Sequence, residues 1–242
     1  MGKTWLAAFD VLQFKAKKVL FVAHREEILI QAERTFRTLL PQSTTGHFNA
    51  NAKVVDADIV FASIQTLGKP EYLNKLDKTH FDYVIVDEFH HAGAVSYQLL
   101  LNHFTPQFLL GLTATPERTD QADILSLCDN NLVFERNIIN GIESGILVPF
   151  HYQGIKDETV DYRELPWRNG KFDPQQLVNL FATQKRAKHV FAHWQTHKQQ
   201  RTLAFCVSKA HADFMAQWFS ARGIKAVSVH SDSEVRRGEA LS

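Results

Sequence analysis

The sequence contains few cysteines, with only Cys128 and Cys206 among its 242 residues. The two lie far apart, and the chain has no Cys-x-x-Cys pair and no cysteine and histidine cluster at zinc-finger spacing. A disulfide framework and a structural zinc site are therefore excluded as the basis of the fold. We expect both residues to be reduced thiols in the protein core.

Long apolar runs are also missing. No stretch reaches the roughly 20 apolar residues that a membrane-spanning helix requires, and the N-terminus does not show the charged-then-apolar pattern of a signal peptide. We therefore expect a soluble cytoplasmic protein with no membrane partner. With 45% hydrophobic and 22% charged residues, the chain can fill two ordinary cores, which predicts two domains.

The charge is nearly balanced, but it is unevenly distributed. Residues 1–148 carry 13 Lys and Arg against 17 Asp and Glu, whereas residues 149–242 carry 14 against 9. An acidic half joined to a basic half favours a polyanion bound to part of the surface, although solvated surface charge gives the same pattern. The charge distribution is therefore only supporting information for a nucleic-acid partner.

The most informative stretch is Tyr83-Val84-Ile85-Val86, which is followed by Asp87 and Glu88. A short apolar, β-branched run of this kind is typical of a strand covered on both faces of a parallel sheet. Ligands of open α/β sheets lie beyond the carboxyl ends of the strands, so both carboxylates would face the ligand. One is then able to hold a metal ion while the other takes a proton from water. The alternative is that they cap a helix.

Gly2-Lys3-Thr4 leads into an apolar helix and matches the second half of a phosphate-binding loop. In the complete motif, a preceding strand and an earlier glycine let successive backbone N–H groups wrap the phosphates, and the lysine and threonine add charge and metal contacts. The three residues also occur often by chance, so alone they leave nucleotide binding open.

Strands alternate with helices through the first half of the chain, which predicts a three-layer α/β domain with a parallel sheet. We predict a loop at 43–51, strands at 18–23, 59–62, 83–86 and 108–112, and helices that begin near residues 26, 63, 97 and 138. The predicted boundaries of this domain are 1–148.

Polar residues follow three of these strands. His24 and Arg25 are well placed for a phosphate, although Arg25 is equally able to pair with Glu26 or Glu27. Ser63 and Thr66 are candidate helix caps. Thr113-Ala114-Thr115-Pro116 is either an ordinary turn or a segment that relays a conformational change from the neighbouring site.

Residues 149–242 are predicted to form a second, incomplete α/β domain. Strands are expected at 150–155, 202–206 and 225–229, and helices at 185–199, 210–222 and from 233. The polar stretch near 156–174 is expected to be irregular, because it contains two prolines and a glycine.

His189, His193 and His197 are spaced by four residues and so lie on one face of the predicted helix. Such a ladder is able to bind zinc or nickel. A solvated helix face is the more ordinary interpretation, because no carboxylate or thiolate is added at ligand spacing.

Taken together, six blocks in this order resemble superfamily-two helicases and translocases of the DExH branch, close to bacterial DEAD/DEAH-box proteins and Res-type restriction subunits. The blocks are Gly2-Lys3-Thr4, Ala23-His24-Arg25-Glu26-Glu27, Ala62-Ser63-Ile64-Gln65-Thr66-Leu67, Asp87-Glu88-Phe89-His90, Gly111-Leu112-Thr113-Ala114-Thr115-Pro116-Glu117-Arg118 and Phe205-Cys206-Val207-Ser208. The resemblance implies two RecA-like domains that enclose ATP and hold a nucleic-acid strand. DNA is favoured over RNA as that strand, but the sequence does not decide between them.

The resemblance also implies roles for single residues. Gly2, Lys3 and Thr4 would bind the ATP phosphates, Thr4 and Asp87 would hold Mg²⁺, and Glu88 would deprotonate the attacking water, so that the catalytic set is Glu88, Asp87 and Lys3. His90, Thr113 and Thr115 would couple nucleotide state to domain closure. The residues that would contact nucleic acid are His24, Arg25, Thr66, Ser208 and His230.

The family pattern extends further at both ends than this sequence does. It begins with an adenine-reading segment and the front of the phosphate loop, and it ends with two more blocks, one of which carries arginine fingers. We therefore expect a truncated helicase core with weak nucleotide binding, negligible turnover and an unpaired sheet edge, from a parent with a nuclease or restriction-type domain. The alternative is a catalytically inactive module that binds nucleic acid or a partner.

Overall fold

The computed structural model describes residues 2–114, 124–161, 167–168 and 171–233. The chain divides into two compact units, Met1–Leu147 and Val148–Ser242. We refer to them as unit 1 and unit 2. Within the described residues, no helix is both long and apolar enough to cross a membrane.

Unit 1 contains a five-stranded parallel sheet with the strand order β2-β3-β1-β4-β5. The strands are β1 Val19–Ala23, β2 Thr45–Phe48, β3 Ile59–Ser63, β4 Tyr83–Asp87 and β5 Phe108–Leu112. The helices are α1 Lys3–Phe14, α2 Glu26–Leu39, α3 Ile64–Leu67, α4 Pro70–Leu73, α5 Val95–His103 and α6 Ile138–Glu143. Short 3-10 turns cover Phe89–His91 and Leu125–Cys128. The predicted α/β class and the parallel sheet are confirmed.

The sheet is covered on both faces, because β1 and β4 are completely buried. Helices α1 and α2 pack on one face through Ala7, Ala8 and Phe36, and helices α3 to α5 pack on the other. This three-layer arrangement explains why the central strands are continuous apolar runs rather than alternating ones. β5 lies at one edge of the sheet and, among the described residues, pairs only with β4.

Two contacts fix the end of the sheet where the strands begin. The hydroxyl of Tyr83 on β4 donates to a carboxylate oxygen of Asp10 on α1. Asp82 accepts the backbone N–H groups of Lys17 and Lys18, at 2.9 and 2.8 Å, just before β1 begins. These bonds tie α1 and the start of β1 to β4.

The predicted loop at 43–51 contains an additional edge strand, β2, so this prediction was wrong for Thr45–Phe48. Gly46 allows the close approach of the following segment, because a Cβ there would lie 2.6 Å from Cγ1 of Val54. Glu33 on α2 also anchors β2 through the Thr45 hydroxyl and the His47 ring, both at 2.7 Å. The polar composition of this strand reflects its edge position.

Unit 2 is built mainly from helices in the described residues. They are α7 Pro174–Phe181, α8 Gln184–His197 and α9 Lys209–Ser220, together with a short antiparallel pair, β6 Trp167–Arg168 and β7 Lys171–Phe172. Aromatic rings join α8 to α9: the ring centroid of Phe191 lies 5.5 Å from that of Trp218 and 5.4 Å from that of Phe219. Helices α8 and α9 agree with the predicted helices to within two residues at either end.

The strands predicted at 150–155, 202–206 and 225–229 are not formed among the described residues. Phe205 is 92% exposed and Tyr152 is 85% exposed, so these apolar segments find no sheet to pack against. A strand needs ladder partners, and local apolar patterning does not supply them. The predicted helix from residue 233 falls mostly outside the described residues.

The two cysteines are free, as single thiols in different units. Both are half-buried rather than core residues, which corrects the expectation from the sequence. Burial raises the pKa of each thiol, so neither is an activated nucleophile.

Candidate nucleotide-binding site

The carboxyl ends of four parallel strands meet at one side of unit 1. β1 pairs with β3, with Ala23 opposite Ser63, and β4 pairs with β5, with Asp87 opposite Leu112. β1 and β4 are themselves neighbours. The residues that follow these strands therefore lie side by side, as expected for the ligand side of an open α/β sheet. We call this side the strand-exit edge.

Lys3 begins α1 at the strand-exit edge and faces the acid pair that ends β4. Its Nζ lies 4.0 Å from Oδ1 of Asp87 and 3.7 Å from Oε1 of Glu88. At these distances the ammonium is attracted to both carboxylates but is too far away for good hydrogen bonds. The three groups thus form a charged cluster at the strand-exit edge.

Asp87 is 6% exposed, and its Oδ1 accepts the backbone N–H of Glu88 at 2.9 Å. Burial raises the pKa of the Asp87 carboxyl above its ordinary value, and the Glu88 charge acts in the same direction. The Glu88 N–H, Lys3 and His24 oppose this increase but do not cancel it. A buried carboxyl with an incompletely compensated charge favours a cation beside it.

Glu88 adopts the left-handed backbone conformation, with φ 53° and ψ 49°. Its Oε2 lies 3.2 Å from Nδ1 of His90, and the same nitrogen lies 3.1 Å from Oγ1 of Thr113. The structure therefore brings together three residues that the sequence analysis assigned to catalysis and coupling. Thr115, the third predicted coupling residue, lies outside the described residues.

Gly111 on β5 makes space for the turn that carries these side chains. A Cβ at this position would lie 2.7 Å from the ring of Phe89. Phe89 is buried and belongs to the core on the α5 face of the sheet. The glycine thus lets Phe89 anchor the segment between Glu88 and His90.

Gly2 and Thr4 flank Lys3 at the first turn of α1. Gly2 precedes the helix with φ 79°, which a glycine adopts without strain, and its carbonyl accepts the N–H of Leu6 at 2.9 Å. The first N–H groups of a helix are not used by the helix itself and attract anions. Gly2, Lys3 and Thr4 therefore lie together at the N-terminus of α1.

Three of the five residues predicted to contact nucleic acid lie in unit 1. Arg25 is exposed and, among the described residues, is not paired with Glu26 or Glu27; Glu26 instead accepts Asn49 Nδ2 at 2.9 Å. Thr66 lies on α3. The His24 ring points into the protein: it contacts the His91 ring, and its Nδ1 is buried without a hydrogen-bond partner.

The other two lie in unit 2 and have structural contacts there. The Ser208 hydroxyl accepts the N–H of His211 at 3.1 Å and so caps α9. The His230 ring nitrogens contact Asp213 Oδ1 at 3.0 Å and the N–H of Asp232 at 3.2 Å. Their role in nucleic-acid binding stays a prediction.

The histidine ladder on α8 does not form a metal centre. No group of three or more histidine, cysteine or acidic residues in the described part of the chain is arranged to hold a metal ion. His189, His193 and His197 instead line a cavity of about 340 Å³ that the ion pair between Arg186 and Asp157 also borders.

Three residues near the acid pair were not identified from the sequence. The His91 ring contacts the His90 ring at a tilt of 50°, Gln65 donates to the His24 carbonyl at 2.9 Å, and Tyr97 is 3% exposed with an unpartnered hydroxyl. Burial, together with the charges of Asp87 and Glu88, raises the pKa of Tyr97 to about 12. The contacts of His24 with Gln65 and with His91 join residues that follow different strands, so only knowledge of which strands are neighbours would have predicted them.

The parallel sheet and the charged cluster at its strand-exit edge define an α/β domain with a RecA-like fold. Residues 1–118 match the family model described as Type III restriction enzyme, res subunit. This match covers just under half of the chain.

Curated relatives extend the match over most of the chain. A Saccharomyces cerevisiae protein named as the ATP-dependent helicase IRC3 is 30% identical over 90% of this chain and 33% of its own length. A Schizosaccharomyces pombe protein named as a mitochondrial ATP-dependent helicase is 27% identical over 95% of this chain and 39% of its own length. A type I restriction enzyme EcoAI endonuclease subunit from Escherichia coli is 26% identical over 88% of this chain and 30% of its own length. The chain thus spans less than two fifths of each of these relatives.

Among solved structures, the helicase domain of Pyrococcus furiosus Hef is similar to this chain with a TM-score of 0.50. The similarity covers 99% of this chain and 50% of that chain at 16% sequence identity. It shows a common fold.

Proposed function

We propose that this chain is the ATP-hydrolysing core of a nucleic-acid helicase or translocase. The observation that carries the proposal is the approach of Lys3 to within 4.0 Å of Asp87 and 3.7 Å of Glu88 at the strand-exit edge. The helicase names of the relatives support the same activity. ATP is the proposed substrate because the cluster combines a helix N-terminus, a lysine and two carboxylates.

Lys3 and the first N–H groups of α1 would bind the phosphates of ATP. Lys3 lies against the acid pair, and its side chain would turn the ammonium toward the phosphate oxygens when ATP binds. Asp87 and Thr4 would hold a magnesium ion, because Mg²⁺ prefers oxygen ligands and commonly takes only one or two from the protein. The ion would neutralise charge on the phosphate oxygens.

Glu88 would act as the base that takes a proton from the attacking water. Its carboxylate is partly exposed and contacts His90, which in turn contacts Thr113. A hydrogen-bonded partner on one oxygen leaves the other directed toward Lys3 and the proposed phosphate position. His90 and Thr113, with Thr115, would transmit the state of this site to domain closure.

The proposed nucleic acid is DNA. Two of the similarities are to restriction enzymes, a family model and the Escherichia coli subunit, and a parent protein with a nuclease or restriction-type domain is proposed on the same ground. Arg25 and Thr66 on unit 1, and Ser208 and His230 on unit 2, would contact the phosphate backbone. A cytoplasmic location stays a prediction, since the Schizosaccharomyces pombe relative is named mitochondrial.

A binding experiment tests the nucleotide site directly. The dissociation constant for a fluorescent ATP analogue would be measured with and without Mg²⁺ for the unmodified chain, Lys3→Ala and Lys17→Ala. Lys17 precedes β1, at the opposite end of the sheet, and is the matched control. We expect a tenfold or greater loss for Lys3→Ala only. Equal affinities in all three proteins would contradict the proposal.

Single-stranded DNA and RNA of the same sequence would be compared in the same proteins. Affinity for DNA that does not depend on nucleotide or on Lys3 would instead favour the alternative, a nucleic-acid-binding module without hydrolysis. Tighter binding of RNA would overturn the choice of DNA.

A further inference from the structure

Three histidine rings form a continuous row along the strand-exit edge. The His24 and His91 ring centroids are 5.4 Å apart in an edge-to-face arrangement, and those of His91 and His90 are 4.2 Å apart. His90 then reaches Glu88 at 3.2 Å and Thr113 at 3.1 Å. We call His24, His91 and His90 the histidine row.

The far end of the row is attached to the proposed nucleic-acid side. His24 immediately precedes Arg25, and its carbonyl accepts Nε2 of Gln65 at 2.9 Å. Gln65 is fixed in turn by the Ser63 hydroxyl, which donates to its Oε1 at 2.7 Å, and it immediately precedes Thr66. Of the two unit 1 residues proposed to contact the phosphate backbone, Arg25 is therefore adjacent to His24 and Thr66 is adjacent to Gln65, which holds His24.

The His24 ring packs against the His91 ring. Among the described residues its Nδ1 is buried without a hydrogen-bond partner, which is an unfavourable state for an imidazole nitrogen. Because the ring is attached to the backbone beside Arg25, a movement of the backbone there would change the contact between His24 and His91.

We propose that His91 is a positioning residue that links nucleic-acid binding at Arg25 and Thr66 to the hydrolysis site through His24 and His90. This inference rests on the proposed function and adds a residue and a path to it. The His91 backbone N–H donates to the Glu88 carbonyl at 2.9 Å, whereas its ring contacts His90 and, among the described residues, has no hydrogen bond or ion pair to the carboxylates of the acid pair. Under this proposal the His24 ring transmits the coupling and does not contact the nucleic acid, which changes its expected role.

The test measures coupling between two ligands and needs no turnover. The dissociation constant of a labelled single-stranded DNA would be determined with and without a non-hydrolysable ATP analogue and Mg²⁺. The ratio of the two constants is the coupling factor, and it is the same whichever ligand is varied. We expect a factor of about 5 or more for the unmodified chain, the low end of typical allosteric coupling.

Three variants distinguish the loss of the His91 ring contact from a general loss of protein stability. His91→Ala removes the ring and is expected to bring the coupling factor to within twofold of one. His91→Phe keeps an aromatic contact on both sides and is expected to keep most of the coupling. His80→Ala is the matched control, because His80 packs edge-on against Phe81 before β4 begins, outside the row.

Each other outcome has a defined meaning. Unchanged coupling in His91→Ala, equal loss in His91→Phe, equal loss in His80→Ala, or a factor of one in an unmodified chain that binds both ligands would overturn the link through His91. Failure of the unmodified chain to bind nucleotide would overturn the proposed function as well.

Discussion

Asp87 serves the proposed chemistry at the expense of the fold. Its carboxyl is buried and its pKa is raised by burial, so the charged form is disfavoured in the folded protein. We expect Asp87→Asn to stabilise unit 1 by about 1 kcal/mol, the usual size of a stabilising substitution. It would also abolish the Mg²⁺ dependence of nucleotide affinity. Urea unfolding and the fluorescent-nucleotide assay measure the two effects.

The sign of the pH dependence follows from the raised pKa. The protonated Asp87 carboxyl makes its full contribution to stability at pH values below its ordinary pKa of 3.8. This contribution is lost as the pH rises through the higher pKa of Asp87 in the folded protein. The advantage of Asp87→Asn should therefore be larger at pH 8 than near pH 4. An advantage that grows as pH falls would show that the carboxylate is stabilised, not destabilised, by its surroundings.

Gly111 has a steric role that a single substitution reveals. A methyl group there would lie 2.7 Å from the Phe89 ring, so Gly111→Ala should destabilise unit 1 by about 1–3 kcal/mol through overpacking. Gly154→Ala is the control, because its Cβ would meet only Tyr152 at 3.8 Å. Thermal unfolding of both variants checks this prediction, and equal melting temperatures would show that Phe89 moves aside at little cost.

A hydrogen bond near the end of helix α1 that is farther from Lys3 stabilises the helix. Tyr83→Phe removes the donor to Asp10 and should cost about 1–2 kcal/mol. Burial, and then the bond to Asp10, raise the pKa of Tyr83 above its ordinary value of 10.0. The neutral hydroxyl therefore persists at all lower pH values, and the cost should be constant from pH 6 to 9 in chemical denaturation. Tyr72→Phe, on α4, is the control.

The elements that could be predicted from the sequence are those whose signal is local. β1, β3, β4 and β5 are apolar runs that end in polar residues, and each forms close to its predicted place. β2 was missed because an edge strand carries polar residues. α7 was missed because Pro174 suggested irregular chain, whereas proline is favoured at the first helical position and Asp173 caps the helix by accepting the N–H of Gln176 at 3.0 Å.

The strands predicted for unit 2 show where local patterning fails. Their apolar runs resemble those of unit 1, yet a ladder also requires neighbours at the right distance, which composition does not encode. For the same reason, the sequence placed Lys3, Asp87 and Glu88 at one site only through a family resemblance. It could not place His24 beside His91, because that contact depends on β1 and β4 being adjacent.

At the scale of the whole molecule, the two units should differ in backbone protection. The amides of β4 lie between two hydrogen-bonded neighbours, whereas residues 202–206 are in no ladder. We expect β4 to exchange hydrogen at least about a hundredfold more slowly than residues 202–206 in mass-spectrometric exchange. Residues 211–219 of α9 give an internal comparison within unit 2. Similar rates for β4 and residues 202–206 would indicate a sheet in unit 2.

The left-handed backbone at Glu88 has an evolutionary consequence. Asparagine and glycine fit such a backbone better than glutamate does, so drift or selection for heat resistance would favour them at this position. Either replacement would remove the proposed base while improving the fold. In relatives that no longer need the proposed base, we therefore expect asparagine or glycine at residue 88 while the rest of the site is still present.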